Sequence, residues 1–273
     1  MSVHTPLRSV LFVPAASEKA MAKAASLVCD AIIFDLEDSA GAEEKESALA
    51  RLVATLETSG FAAPVIWVRI DALAVPVTEV LKPFLGHRVH GLVVPKVSSA
   101  RDLKGLPDVP LWAMIETARG VVNLKEICEA PGLAGLIVGP NDLRADLRVA
   151  ATGGRAEIAT ALSQVVLYAR AYGLDVIDGV YNNFRDEDGL RAECAHGKAL
   201  GFDGKTLIHP AQIAITEAVF SPSNAQLSWA RDVVAVFDAP ENAGKSLVAL
   251  DGEMVELMHL ATARRWLGIQ EKI

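Results

Sequence analysis

Short apolar runs rich in Val, Ile and Leu recur along the chain, and each is followed by a stretch whose apolar residues return every three to four positions. Eight runs can be read: SVLFVPA from Ser9, AIIFDLED from Ala31, VIWVRID from Val65, GLVVPKV from Gly91, LWAMIETA from Leu111, GLIVGPND from Gly135, DVIDGVYN from Asp175 and KTLIHP from Lys205. Between them, EEKESALARLVATLET sets Leu49, Leu52, Val53 and Leu56 on one helical face. RAEIATALSQVVLYARAYG repeats the device with Ile158, Leu162, Val165 and Ala169, and Gly173 is placed to end that helix. Continuously apolar strands alternating with amphipathic helices imply a parallel sheet covered by helices, because a strand buried on both faces shows no polar side. Eight such units predict a closed (β/α)8 barrel of the TIM type; an open doubly wound sheet is the alternative, since periodicity does not count closure.

Beyond Pro222 the pattern changes. LSWARDVVAVFDA predicts a helix, a break containing Pro, Asn and Gly follows, and two apolar runs flank the pair Asp251-Gly252, a strong signal for a tight hairpin. A last amphipathic helix ends the chain. The predicted division is a barrel over 1–221 and a C-terminal extension of helices and hairpin over 222–273. Trp229, Val233, Val236 and Phe237 form an apolar face that is costly to leave in water, and a neighbouring subunit is the expected cover.

Nearly every apolar run ends in polar chemistry. Asp35, Glu37 and Asp38 follow the second, Arg69 and Asp71 the third, Lys96 the fourth, Glu116 and Arg119 the fifth, Asn141 and Asp142 the sixth, and His209 the eighth. In a closed parallel barrel these strand ends converge on one mouth. Loops are polar in any protein, so one such residue says little; a series repeated at the same edge of most strands says more. Glu116 and Asp142 take corresponding positions on adjacent strands, a placement that suits a hard cation such as Mg²⁺ completed by waters and an oxygen-rich ligand. The planar fork of Arg69 would face an incoming carboxylate. A divalent ion would also relieve the repulsion among the clustered acids, which otherwise raise one another's pKa.

The chain has 273 residues with 51% hydrophobic content, enough for a barrel-sized core. A net charge of −8 without any stripe of Lys and Arg excludes a nucleic-acid partner. No window approaches the roughly 18 to 20 apolar residues of a membrane span, and the first residues lack the pattern of a signal peptide, so a cytoplasmic protein with no membrane partner is expected. Three isolated cysteines, Cys29, Cys128 and Cys194, suit reduced thiols. The histidines show no HExxH spacing for zinc. GFDGKT resembles the end of a phosphate-binding loop, but Ala199 stands where that loop needs glycine, which excludes a nucleoside triphosphatase. Lys96 is expected in a rim salt bridge with an acid such as Glu116 rather than as a Schiff-base lysine. His209 is either a hydrogen-bonded loop residue or a wall of a substrate channel.

In order along the chain, FVPAASEKAMAKA, DLEDSAGAEEK, VRI, LVVPKV, IETARGV, GPNDL, GFDGKTLIHPAQI and ALDGEMV resemble the CitE-like branch of the HpcH/HpaI aldolase family, which includes citrate lyase β subunits and the malyl-CoA and citramalyl-CoA lyases. The resemblance runs from about Ser9 to about Leu267. It implies a TIM barrel with a helical C-terminal extension, Mg²⁺, a trimeric or hexameric homo-oligomer, and reversible carbon–carbon cleavage of a 3-hydroxyacyl thioester to acetyl-CoA and a 2-keto acid. By position it implies Glu116 and Asp142 as metal ligands, Arg69 as the holder of the keto-acid carboxylate, and Glu37 and Asp38 as acids hydrogen-bonded to metal-bound water. It also implies Asp251 as an acid donated by a neighbouring subunit, and Lys19 and Lys23 as contacts for the phosphates of coenzyme A. In that chemistry a thioester enolate must be stabilised, with Arg69 or the backbone N–H of Gly139 as candidate donors. Ser17 stands where many relatives carry arginine, which leaves coenzyme A and an acyl carrier protein both open as carriers. Citrate lyase β-type action on a carrier-bound citryl thioester, and a non-catalytic acyl-CoA-binding protein, are the alternatives.

Overall fold

The computed structural model describes residues 6–37, 42–70, 75–151 and 154–271. Asp38, Asp71 and Gly153 lie outside the described residues. Eight strands, β1 (Ser9–Pro14), β2 (Ala31–Asp35), β3 (Val65–Arg69), β4 (Gly91–Val94), β5 (Leu111–Ile115), β6 (Leu133–Val138), β7 (Asp175–Asp178) and β8 (Gly204–Leu207), form a closed barrel in sequence order. Every pairing is parallel, including that of β8 with β1. All eight predicted runs are strands, and β2, β4, β5 and β8 are buried at every position, as continuous apolar runs require. The sixth begins at Leu133, two residues before the run read from sequence, and the β5–β6 register shifts between Leu111 and Trp112. Gly135 follows from that register: a Cβ there would stand 2.3 Å from the Trp112 ring.

The helices are α1 (Glu18–Ala24), α2 (Ala42–Thr58), α3 (Val75–Leu81), α4 (Ala118–Val122), α5 (Leu124–Cys128), α6 (Pro140–Leu147), α7 (Ala159–Ala171), α8 (Glu187–Leu200) and α9 (Ile213–Phe220). In α2, Ala48, Leu52 and Leu56 are fully buried, with Leu49 and Val53 half-buried beside them. Leu162, Val165 and Ala169 of α7 face the core together with Ile158 just before it, and Gly173 at φ +70° ends the segment.

Strand alternation then decides what the mouth contains. Val10, Ala31, Ile33, Trp67, Trp112, Met114, Ile137 and Ile177 pack into one core cluster, with Trp67 and Trp112 rings 4.2 Å apart. Two residues further along the same strands come Phe12, Asp35, Arg69, Glu116 and Gly139. Side chains repeat every second residue on one strand face, so the phase that fills the barrel floor with hydrocarbon delivers these residues to its top.

Outside the barrel wall, Lys205 of β8 has no exposed surface and is held by Asp178 at 3.2 Å and Glu193 at 2.7 Å. Arg155 completes the cluster with 2.6 and 2.7 Å bonds to Asp178. The lysine of GFDGKT is therefore a buried counter-ion tying β7, β8 and α8 together, a structural role that removes it from any phosphate. Among the described residues no helix is long and apolar enough to cross a membrane.

Chain contacts separate residues 7–217 from a second unit of residues 1–6 and 218–273. In that unit, α10 (Asn224–Asp238) packs with α11 (Leu257–Gln270) and with the antiparallel pair β9 (Leu247–Leu250) and β10 (Glu253–Glu256). Asp251 at φ +51° and Gly252 at φ +86° make the two-residue turn between the strands, as an Asp-Gly pair at a hairpin predicts. Val233 and Phe237 are buried in one cluster with Val248, Val255, Leu260 and Ala263, and Trp229 and Val236 are half-buried against it. This corrects the expectation that the α10 face needs a neighbouring subunit: α11 and the hairpin of the same chain cover it. Among the described residues of this unit, the large apolar side chains left exposed are Leu247, Met254, Leu257 and Met258.

Candidate active site

The mouth of the barrel holds a cleft of about 450 Å³ lined by Asp35, Glu37, Arg69, Lys96, Glu116, Gly139, Asn141 and Asp142 on one arc and by Phe12, Pro14, Val180, Asn182, Thr206 and Ile208 on the other. The charged arc comes from the strand ends β2 to β6 and the other from β7, β8 and β1.

Glu116 follows β5 and is almost fully buried. Its Oε1 accepts the Lys96 backbone N–H at 2.7 Å. Lys96 reaches that position by adopting φ +53°, a left-handed conformation unfavourable for a residue with a Cβ, so the surrounding structure must hold it there. On the other side of the carboxylate lies Gly139, where a Cβ would come within 2.1 Å of Oε2, so only glycine leaves that oxygen room. Burial, with smaller contributions from Asp142 and Glu37, pushes the Glu116 carboxyl up to about 7. Asp142 is exposed in the first turn of α6 and lines the same arc of the cleft as Glu116.

Arg69 stands beside Asp35 in the β2–β3 register. Its Nε and Nη2 donate to the two oxygens of Asp35 at 2.7 and 2.5 Å, and Nη1 meets Glu37 at 2.8 Å. The guanidinium also lies 4.8 Å from the centroid of the Phe12 ring. The arginine expected to face a ligand carboxylate is thus held by two acids of the chain itself. Glu37 is shared, since its Oε1 also accepts from Lys96 Nζ at 2.5 Å, which raises the lysine pKa. The expected rim salt bridge of Lys96 is present, but its acid is Glu37 and not Glu116, which takes the backbone amide instead.

The other sequence-derived residues fall as follows. The Gly139 N–H donates to the Ile115 carbonyl at 3.2 Å, so it is engaged in the barrel wall and not offered to a ligand. Lys19 and Lys23 are exposed on α1, and Ser17 caps that helix by accepting the Ala20 N–H at 3.2 Å. Asp251 sits exposed at the β9–β10 turn of the second unit. Asp35 is visible among the acids that end the second run, but nothing in the sequence points to Arg69 as its partner, and Phe12, Asn182 and Thr206 carry no signal in a single sequence.

This donor set suits a hard divalent cation. A buried carboxylate with one oxygen fixed by an amide and the other facing a glycine-cleared space, near a second carboxylate at the lip, offers two oxygen ligands and leaves room for waters and a chelating substrate. A cation binds the carboxylate and not the acid, so affinity should fall as pH drops through about 7 and approach tenfold per unit below it. An ordinary carboxylate would show no change above about pH 5. The metal-free fold responds with the opposite sign: folded Glu116 keeps its proton between 4.5 and about 7 where the unfolded chain does not, so stability declines as pH rises through that window. Calorimetric cation titrations across it test the point, and a flat affinity would show Glu116 ionised throughout.

An eight-stranded barrel with an acid-rich, arginine-bearing mouth defines a protein built to bind an anionic ligand around a cation. Its relatives narrow that class. The chain belongs to the HpcH/HpaI aldolase/citrate lyase family, whose model matches residues 8–210. It is 45% identical, over 98% of its length and 96% of the relative's, to a (3S)-malyl-CoA thioesterase of Cereibacter sphaeroides. It is 32% identical to the mitochondrial citramalyl-CoA lyase of Mus musculus, over 99% of this chain and 88% of that one. The crystal structure of CitE from Mycobacterium tuberculosis in complex with magnesium, acetoacetate and coenzyme A superposes with a TM-score of 0.76 at 30% identity, over 97% of this chain and 98% of that one.

Proposed function

We propose that the chain is a Mg²⁺-dependent lyase that cleaves a 3-hydroxyacyl-CoA thioester of citramalyl-CoA or malyl-CoA type to acetyl-CoA and a 2-keto acid. The observation that carries the reading is the Glu116 carboxylate, fixed between the Lys96 amide and Gly139 within reach of Asp142, in a mouth that also holds Arg69. Glu116 and Asp142 would hold the ion, which when bound supplies Lewis-acid polarisation of the substrate oxygens. Glu37 and Asp38 would hydrogen-bond the waters around it. Arg69 would bind the keto-acid carboxylate through Nη1, taking it from Glu37, while Asp35 keeps the other edge of the guanidinium in place. As the carbon–carbon bond breaks, the hydroxyl proton passes to solvent water at the mouth, the hydroxyl oxygen becomes the keto oxygen, and the bonding pair leaves as a thioester enolate that must gain a proton at carbon. Asp251 of a neighbouring subunit is the proposed donor. A cytoplasmic homo-oligomer, a trimer in particular, belongs to this proposal; the buried thiols Cys29, Cys128 and Cys194 and the exposed Leu247, Met254, Leu257 and Met258 support it.

A second reading is hydrolysis of the thioester itself, favoured by the 45% identity to a malyl-CoA thioesterase. Both reactions anchor the acyl group in the same way and differ in the bond broken. Incubation of the purified protein with Mg²⁺ and (3S)-malyl-CoA or citramalyl-CoA, with separation of all products, decides between them. Acetyl-CoA with glyoxylate or pyruvate, lost on chelation, is the expected result. Free coenzyme A and a hydroxy acid without acetyl-CoA would make the chain a thioesterase, and no turnover of either thioester would leave a binding protein.

A further inference from the structure

Side-chain hydrogen bonds tie α6, the helix that carries Asp142, to three different segments. Arg144 Nε donates to Glu157 at 2.7 Å, which joins the helix to the turn ahead of α7. The amides of Asn141 and Asn182 exchange hydrogen bonds at 3.2 and 2.8 Å, which joins it to the loop after β7. Asp146 Oδ2 accepts the Ala118 N–H at 2.6 Å, and Ala118 is two residues past Glu116. Of the three, only the last runs from the helix of one expected cation ligand to the strand end of the other.

The local sequence explains why that N–H is available. Thr117 caps the short helix α4, its hydroxyl accepting the Gly120 N–H at 3.0 Å, and the N–H of Ala118, the first in that helix, has no partner within it. Asp146 stands four residues after Asp142, on the same face of α6 one turn along. Its carboxylate is exposed and lies outside the cleft wall. The start of α6 is fixed by the Gly139 N–H on the Ile115 carbonyl at 3.2 Å. One such point leaves the helix free to swing about it, and a swing changes the distance from Asp142 to Glu116. The Asp146 bond, seven residues on, is the second point. Ile115 and Ala118 flank Glu116, so both points belong to the segment that carries the other carboxylate. A further acid near this mouth repels those already there, but a charge-assisted hydrogen bond is shorter and stronger than a neutral one, which a fixed spacing requires.

We infer that Asp146 is a positioning residue that sets the separation of the Glu116 and Asp142 carboxylates, and with it the cation the pair prefers. The inference rests on the reading of that pair as the cation site. Mg²⁺ demands near-ideal octahedral geometry with oxygens at about 2.0–2.1 Å, whereas Ca²⁺ takes six to eight oxygens at about 2.3–2.6 Å in flexible arrangements. A spacing held by Asp146 therefore matters more to Mg²⁺ than to Ca²⁺.

The test is calorimetric titration with Mg²⁺ and, separately, Ca²⁺ of wild type, Asp146→Ala and Asp146→Asn, with circular dichroism as the check on folding. Asp146→Ala should lose about tenfold in Mg²⁺ affinity, the lower end of what an outer partner contributes at a metal site, and less than that in Ca²⁺ affinity. Asp146→Asn keeps an oxygen that accepts the Ala118 N–H and should bind Mg²⁺ more nearly as wild type does than as Asp146→Ala does. Unchanged Mg²⁺ affinity in Asp146→Ala would overturn the inference, and so would equal losses for the two ions, the mark of a general loosening. An Asp146→Asn protein as weak as Asp146→Ala would overturn it too, by showing that the charge matters and the hydrogen bond does not. Wild type that binds neither ion would sink the cation reading of Glu116 and Asp142 itself, and the inference with it.

Discussion

Glu116→Gln is expected to lower kcat/KM by about a thousandfold, roughly 4 kcal/mol of lost transition-state stabilisation, while the barrel stays folded. The amide is the same size and can still accept the Lys96 N–H, so the packing between Lys96 and Gly139 survives. What goes is the negative charge, and with it one of two carboxylates offered to the cation. Because burial already disfavours that charge, its removal should not reduce thermal stability of the metal-free protein. Calorimetric Mg²⁺ binding beside the activity assay checks the assignment. A variant that binds Mg²⁺ as wild type does would move the cation site away from Glu116.

Gly139→Ala should be nearly as damaging through shape alone, costing about a hundredfold in kcat. The residue has φ −104°, a value open to alanine, so the backbone is not the difficulty. The new methyl group would meet Glu116 Oε2 at 2.1 Å and Glu116 Cβ at 2.6 Å, and a carboxylate with its other oxygen tied to the Lys96 amide must tilt out of position. Circular dichroism should match wild type while Mg²⁺ affinity falls. Normal affinity together with normal kcat would show that Glu116 is free to move, against the reading of a preorganised ligand.

The architecture was legible in the sequence because it rests on one-dimensional signals. Eight apolar runs became eight strands, Gly173 ended its helix, and Asp251-Gly252 turned its hairpin. The ends of those strands also pointed to the mouth, since a rim residue sits in phase with the core residues below it. Partnerships were not legible. That Arg69 belongs to Asp35 depends on the β2–β3 register, and that Lys96 gives its amide to one acid and its amine to another depends on a left-handed φ that nothing in PKV announces. The α10 face was read correctly as apolar, but its cover lies in two later elements of the same chain that a local pattern could not place. The bond from Ala118 to Asp146 escaped for a similar reason: its ends are 28 positions apart, and its donor is a backbone N–H that almost any residue would supply.

Lys96 is in effect two residues sharing one position. Its amide, fixed by the chain's path, would be supplied by any amino acid that tolerates φ +53°, whereas its amine is a property of lysine alone. Substitution there therefore separates two functions that other contacts in the mouth keep fused. Alanine would keep the left-handed backbone and the bond to Glu116 while erasing the tether on Glu37, so the Lys96→Ala protein isolates the amine's contribution. Glycine mixes the two, because it removes the amine and also eases the backbone. An alanine scan, the usual first survey of a site, would therefore read the amine alone and leave the amide's part unseen.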